Sequence, residues 1–272
     1  MIPAACLRIP TWHAICTRPA TKILTTVWPK LYAVLAALAW PQLALANCSP
    51  IAFDGVPFTI CSYPTKNVDL RLFHRGSNGN AFGSFRAIDR ILNADGKALI
   101  FAMNAGMFHD DLSAVGLYIE EAQQSAPLVK RAGPGNFGLL PNGVFCIGKN
   151  GTATVIETLT YAKDTPSCRF ATQSGPMLVI DGKLHPRFIP DSDSVNIRNG
   201  VGVSADGALV HFAISDARVN FHHFGRLFRD MLDTPNALYL DGKVSRLHAP
   251  DLRRSDPGFP MGPIVGIVDT AP

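Results

Sequence analysis

With 25 lysines and arginines against 21 aspartates and glutamates, the 272-residue chain carries a formal charge of +4. The whole surplus comes from Arg8, Arg18, Lys22 and Lys30, all within residues 1–46, where no acidic residue occurs; the rest of the chain is electrically balanced. A nucleic-acid binder carries a basic surplus as its electrostatic footprint, so that class of partner is set aside.

In chain order, the first predicted element is an export signal. Basic residues up to Lys30 precede the apolar run Leu31–Trp40, which is too short for a bilayer span of roughly 20 residues. Ala44-Leu45-Ala46 then has the small-x-small form that signal peptidase cuts. Residues 1–46 therefore read as a signal peptide and 47–272 as one domain, periplasmic or secreted, with no stable membrane insertion after cleavage. The short run argues against an uncleaved anchor. A lipoprotein reading at Cys48 is opposed by Asn47, which stands where a small residue belongs. Cys6 and Cys16 leave with the leader, and Cys48, Cys61, Cys146 and Cys168 remain. None belongs to a C-x-x-C pair, which argues against zinc and thioredoxin-like sites. In an oxidising compartment four such cysteines are expected to pair. Of the three possible connectivities, Cys48–Cys61 with Cys146–Cys168 is expected, because each bond closes a short local loop.

Within the mature chain, Ser84 caps a predicted helix with Phe85, Ile88, Ile91 and Leu92 on one face and Gly96 at its end. Strands are predicted over Ala98–Met103, Gly116–Glu120, Val144–Ile147, Thr154–Thr158, Met177–Ile180, Gly200–Ser204, Leu209–Ile214 and Ala237–Leu240. Turn signals recur at Ala94-Asp95-Gly96, Lys149-Asn150-Gly151, Ile180-Asp181-Gly182, Ala205-Asp206-Gly207 and Leu240-Asp241-Gly242, most flanked by short apolar runs, as hairpins require. Asn220 caps a second predicted helix, with Phe221, Phe224, Leu227, Phe228 and Met231 as its buried stripe and Pro235 beyond its end. Many strands, few helices and mostly hairpin connections predict an α+β fold, a single domain of mostly antiparallel or mixed sheet.

Generic catalytic motifs fail on inspection. Gly143-Val-Phe-Cys-Ile-Gly148-Lys149 imitates a phosphate-binding loop, but Asn150 stands where Ser or Thr must reach magnesium, and the segment reads as a hairpin. Asp191-Ser-Asp193-Ser-Val-Asn196 begins like a calcium loop and lacks the glycine at its sixth position. His222 and His223 are helix neighbours that point in different directions. No metal set and no cofactor is read from the chain.

What remains is a set of polar residues at the ends of apolar strands: Asn104-Ala105-Gly106-Met107-Phe108, Gln173-Ser174-Gly175-Pro176, Arg198-Asn199-Gly200, Ser215-Asp216 and Asp241-Gly242-Lys243-Val244-Ser245. Singly, these are ordinary turns. Together, Asn104–Phe108, Ala171–Gly182, Arg198–Gly202 and Asn236–Gly242 resemble, in the same order, the motifs of phosphodiester glycosidase domains, and in particular those of exported bacterial proteins of that family. The likeness extends over roughly Phe53 to Val268. It departs from the family's Asn-Gly-Gly-Phe-Phe at 104–108, from its Asp-Gly-Arg at Asp216-Ala217-Arg218, and from its Asp-Gly-Gly-Gly-Ser at 241–245, where Lys243 and Val244 replace glycines.

The resemblance implies a hydrolase of sugar-1-phosphodiesters acting on a carbohydrate or sugar-phosphate substrate. Cleavage at the anomeric carbon expels a phosphate monoester, a good leaving group, so strong general-acid help is less necessary than in ordinary glycosides. The site needs a cation for the phosphate, for which Arg198 has the bidentate fork. It also needs a carboxylate to activate water or stabilise an oxocarbenium ion, for which Asp216 and Asp241 are candidates. Asn104, Gly106, Gln173, Ser174, Arg218 and Ser245 are the expected substrate contacts, and Arg198, Asp216, Asp241 and Asn104 are expected to face one cleft. A catalytically silent glycan- or envelope-polymer-binding domain is the alternative, favoured by the altered 241–245 turn. For the leader, intact-mass analysis of exported protein should give a chain starting at Asn47; a mass that still contains Leu31–Trp40 would refute the cleavage site.

Overall fold

The computed structural model describes residues 47–271, so the expected signal peptide lies outside the described residues. The chain begins with β1 (Cys48–Phe53), β2 (Val56–Pro64) and β3 (Asp69–Phe73), followed by α1 (Phe85–Leu92) and β4 (Lys97–Asn104). Next come β5 (Tyr118–Glu120), β6 (Gln123–Ala126), β7 (Gly143–Gly148), β8 (Ala153–Glu157), α2 (Thr158–Asp164) and β9 (Cys168–Ser174). The last stretch holds β10 (Met177–Ile180), β11 (Lys183–Leu184), β12 (Asn199–Val203), β13 (Leu209–Ser215), α3 (Phe221–Arg226), β14 (Asn236–Asp241), β15 (Leu247–Ala249), β16 (Arg254–Ser255) and β17 (Ile264–Thr270).

Three sheets result, in the orders β1-β2-β13-β12-β14-β10-β11, β16-β15-β4-β17-β3 and β6-β5-β9-β7-β8. The pairings are antiparallel throughout, as in an α+β domain with few helices. One aromatic cluster joins them: the Phe212 ring of β13 lies 4.7 Å from Phe101 of β4 and 6.0 Å from Phe145 of β7. The other face of the seven-stranded sheet is covered by α3, with Phe58, Leu178, Phe224, Phe228 and Tyr239 buried between them. Strands β12 and β14 are therefore buried on both faces, and β14 reads as a continuous apolar run rather than an alternation. Helix α1 packs Phe85, Ile88 and Leu92 against Leu99 and Ile264 of the β4–β17 sheet and against Met261, which precedes β17.

The predicted caps form. Ser84 Oγ accepts from the Ala87 amide at 3.3 Å, and Asn220 Oδ1 accepts from the His223 amide at 2.8 Å. Two stripe positions do not hold: Ile91 is 53% exposed and Met231 45%. Ile91 falls off the face set by residues 85, 88 and 92. Met231 ends a π-helical segment, Leu227–Met231, whose wider winding advances each residue by less than an α-turn and rotates the side chain outward. Thr158, expected to end a strand, instead opens α2. Three of the turn signals join hairpins (β7–β8, β10–β11 and β12–β13). Gly96, with φ 68°, closes a 3₁₀ turn that carries α1 into β4, and Asp241-Gly242 ends β14 at the candidate site. Strands β1, β2, β3, β9 and β17 and the short strands β6, β11, β15 and β16 escaped the sequence reading; Pro57 and Pro64 mark β2 as non-strand, and Gly266 interrupts β17.

Both expected disulfides are present, Cys48–Cys61 across the β1–β2 pair and Cys146–Cys168 between β7 and β9. No helix among the described residues is long and apolar enough to cross a membrane. The Cys146–Cys168 bond joins residues 22 apart, and closing such a loop contributes about 3 kcal/mol by restricting the unfolded chain. Replacing both cysteines by alanine should lower Tm by roughly 6–12 °C; an unchanged melting curve would show that the bond constrains nothing.

Candidate active site

Three strand ends build the site. β4 ends at Asn104, β12 begins at Asn199 and β14 ends at Asp241, with Asn199 opposite Asp241 in the sheet register. Asn104 and Asn199 are fully buried, and their carboxamides form a relay. Asn104 Oδ1 accepts from Asn199 Nδ2 and, at 3.0 Å, from the Arg246 amide; Asn199 Oδ1 accepts from the Asp241 amide at 2.9 Å. Ser174 Oγ donates to the Leu240 carbonyl at 2.6 Å, and Ser245 Oγ lies 3.0 Å from the Asp241 carbonyl and 3.1 Å from that of Ile197. The main chain at Asp241 is thus held from both sides.

Asp241 forms part of the wall of a cavity of about 840 Å³, together with Asn136, Phe137, Lys243 and Val244. Its Oδ1 accepts from the Lys243 amide at 2.9 Å. Burial pushes the carboxyl up to about 6, against the opposing pull of the Lys243, Gly242 and Val244 amides and the Lys243 charge. His109 and Asp110 also line the cavity and are exposed.

Arg198 is fully buried and is not among the cavity-lining residues. Its Nε and Nη2 donate to the carbonyls of Val219 and Ser194, both at 2.8 Å, and its guanidinium carbon sits 3.5 Å over the Phe221 ring and 5.5 Å from that of Tyr239. Neither Arg198 Nη1 nor Tyr239 Oη has a partner in hydrogen-bond geometry, although each group shifts the other's proton affinity. Burial lowers the Arg198 pKa, and Tyr239 opposes that shift. Burial raises the Tyr239 phenol, and Arg198 opposes it. Tyr239 Oη presses on the Asp241 turn so closely that a Cβ on Gly242 would lie 1.6 Å from it. Gly242 does not have a positive φ, so the glycine is required by space rather than by backbone conformation.

The remaining expected residues are dispersed. Asp216 accepts from Arg254 Nη1 at 2.7 Å and Thr59 Oγ1 at 2.8 Å and does not line the cavity, so the four residues expected in one cleft do not share it. Arg218 is exposed. Gln173 is an internal bracket: Oε1 accepts from the Leu117 and Val129 amides, and Nε2 donates to the Val129 carbonyl and Thr158 Oγ1. A Cβ on Gly106 would meet Thr172 Oγ1 at 2.7 Å, a packing requirement. Asn104 keeps one unpartnered buried donor, Nδ2. Sequence reasoning passed over Asn199 and Tyr239, although both lie inside the motifs it singled out, and it had no signal for Asn136, Phe259 or Arg246.

Known proteins resemble this chain along most of its described length. The sequence profile of the phosphodiester glycosidase family matches residues 97–249. The uncharacterised protein YigE of Escherichia coli K12 is 36% identical over 228 residues, 83% of this chain and 87% of that protein. The zebrafish N-acetylglucosamine-1-phosphodiester alpha-N-acetylglucosaminidase catalytic domain, auto-inhibited by its pro-peptide, superposes with a TM-score of 0.53 at 16% identity, covering 81% of each chain. A putative exported protein of Burkholderia pseudomallei gives a TM-score of 0.53 at 10% identity, over 78% of this chain and 74% of that one.

The Tyr239–Gly242 contact makes a sharp prediction. Gly242→Ala should cost about 1–3 kcal/mol through overpacking, and Tyr239→Phe in the same chain should return most of it. Denaturant melts of the four chains of this double-mutant cycle measure the coupling; additive effects would mean that the hydroxyl does not occupy that space.

Proposed function

The chain belongs to the phosphodiester glycosidase family, and from that premise we propose that it is an exported hydrolase cleaving a sugar-1-phosphodiester of an envelope or extracellular glycan. The signal-like leader and the two disulfides support export. The observation that carries the catalytic part is Asp241, a carboxyl fixed by main-chain contacts in the wall of the cavity and pushed up to about 6. A carboxylate so placed is basic enough to take a proton from water near neutral pH. The water oxygen bonds to the anomeric carbon, its proton passes to Asp241, and the bond from that carbon to the phosphate oxygen breaks. The phosphate monoester leaves with both electrons of that bond and needs no proton from the protein.

Lys243, exposed at the cavity wall, is the cation for the phosphate in this proposal. Arg198 is sealed behind Tyr239 and acts on the site as a fixed buried charge. Asp216 is assigned to the Arg254 ion pair rather than to the chemistry. The replaced glycines at 243 and 244 favour the silent-binder alternative, and turnover separates the two, because a binder retains glycan without releasing free sugar.

If Asp241 must be ionised, kcat/KM for sugar-1-phosphodiester cleavage should fall about tenfold per unit below about pH 6, and Asp241→Asn should lose a factor of roughly 10²–10⁴. The stability signature has the opposite sense. A carboxyl held above its ordinary value makes folding most favourable below about pH 4 and less so as pH rises to about 6. Asp241→Asn should therefore remain folded and lack that decline. A flat rate profile from pH 4 to 7, or full activity in the variant, would remove Asp241 from the mechanism.

A further inference from the structure

A second buried cation shapes the cavity rim. Arg246 is 8% exposed, and its amide donates to Asn104 in the relay that positions Asp241. Its side chain serves main-chain carbonyls. Nε and Nη2 donate to Asp256 at 2.9 and 2.7 Å, and Nη1 donates to Phe259 at 2.8 Å. The guanidinium carbon also lies 5.3 Å from the Phe85 ring centroid. Segment 257–260 is exposed along its whole length, yet this clamp holds it in place. What it presents is Phe259, 81% exposed and part of the cavity wall. A phenyl ring held in water by a buried arginine has no packing role in the chain itself.

The neighbouring wall is of the same character. Phe108 and Leu112 press on Gly262, where a Cβ would meet the Phe108 side chain at 2.5 Å and the Leu112 carbonyl at 2.9 Å. The apolar lining thus comes from separate segments: Met107, Phe108, Leu112 and Val115 from one, Phe259 and Pro260 from another. A sugar offers an aromatic ring one apolar face, whereas this lining gathers aliphatic and aromatic groups from different parts of the chain. The volume, about 840 Å³, lies in the upper part of the roughly 300–1,000 Å³ range of ligand pockets and leaves room beyond a sugar and a phosphate.

We propose that the substrate is a sugar phosphodiester of a long-chain alcohol, with the alkyl chain against Phe259, Phe108 and Leu112 and the sugar-phosphate end at Asp241 and Lys243. The inference rests on the glycosidase reading for which end of the ligand reacts. Hydrolysis then releases free sugar and an alkyl phosphate, with water supplying the oxygen gained by the anomeric carbon.

Two sets of probes keep this inference apart from the catalytic one. Calorimetric titration of the mature protein with methyl phosphate and octyl phosphate tests the chain site alone, without a choice of sugar. Each methylene withdrawn from water is worth about fourfold in affinity, so octyl phosphate should bind at least about tenfold more tightly than methyl phosphate. Phe259→Ser, which alters an exposed side chain and should leave the melting temperature unchanged, should reduce that ratio at least about threefold. Equal affinities, no binding by either probe, or a ratio unmoved by the substitution overturns the inference. Hydrolysis is assayed separately on the methyl and octyl diesters of N-acetylglucosamine-1-phosphate. Turnover with the same KM for both overturns the alkyl assignment alone. Octyl-selective binding without turnover of either diester supports the alkyl site and overturns the glycosidase reading.

Discussion

The relay from Asn104 through Asn199 to the Asp241 amide is the constraint on which the site depends. It ties the last residue of β4, in one sheet, to the first of β12 and the last of β14 in another. The Arg246 amide joins the same Asn104 oxygen and adds the start of β15. A carboxamide suits the middle of this relay because it donates from one atom and accepts at the other: Asn199 donates to Asn104 and accepts from the Asp241 amide, while Asn104 only accepts. Asp241 gains its position from contacts to its own main chain and from the Lys243 amide on its carboxylate, in the wall of the cavity.

Two arginines are buried around this junction, and both direct their hydrogen bonds to carbonyl groups rather than to carboxylates. A buried cation is costly unless its donors are satisfied or a counter-charge lies near, and of the two only Arg246 has one among the described residues, the Asp256 charge, opposing the effect of burial. Here carbonyl dipoles and ring faces share that role: Phe221 and Tyr239 for Arg198, Phe85 for Arg246. Each arginine fixes an irregular segment, 194–198 behind Tyr239 and 256–259 at the cavity rim. Arg198, expected to hold a phosphate, instead gives two of its donors to the Val219 and Ser194 carbonyls, because the fork that suits a phosphate suits a pair of carbonyls equally well.

How far the sequence was legible follows from what each signal reports. The apolar runs of β10, β13 and β14 and both helix caps were readable, since they depend on local pattern and on side chains that bond to nearby amides. The caps held even where α3 gave way to π-winding and turned Met231 outward. The disulfide pairing was readable because it was local. The strand-end motifs correctly marked the neighbourhood of the junction, yet a motif does not say which member faces the cavity. Gln173 and Ser174 brace the main chain, Asp216 lies with Arg254, and Tyr239, read as one more apolar strand residue, stands against the Asp241 turn. Phe259 carried no signal at all, since its place depends on an arginine side chain and the Asp256 and Phe259 carbonyls, brought together only by the fold.

The altered turn at Asp241–Ser245 bears on whether the family's chemistry can persist here. Glycine serves a turn either by adopting positive φ or by leaving space. None of residues 242–244 has positive φ, so Lys243 and Val244 incur no backbone strain. Space is demanded only at 242, where the Tyr239 hydroxyl stands, and that glycine is kept. Val244 packs against the α1 cluster and joins the cavity wall, while Lys243 extends into solvent. The Lys243 amide donates to the Asp241 carboxylate at 2.9 Å, a task that any residue's N–H performs. The two lost glycines therefore remove nothing that Asp241 requires, and their replacements add a charge and an apolar surface to the wall a substrate would meet.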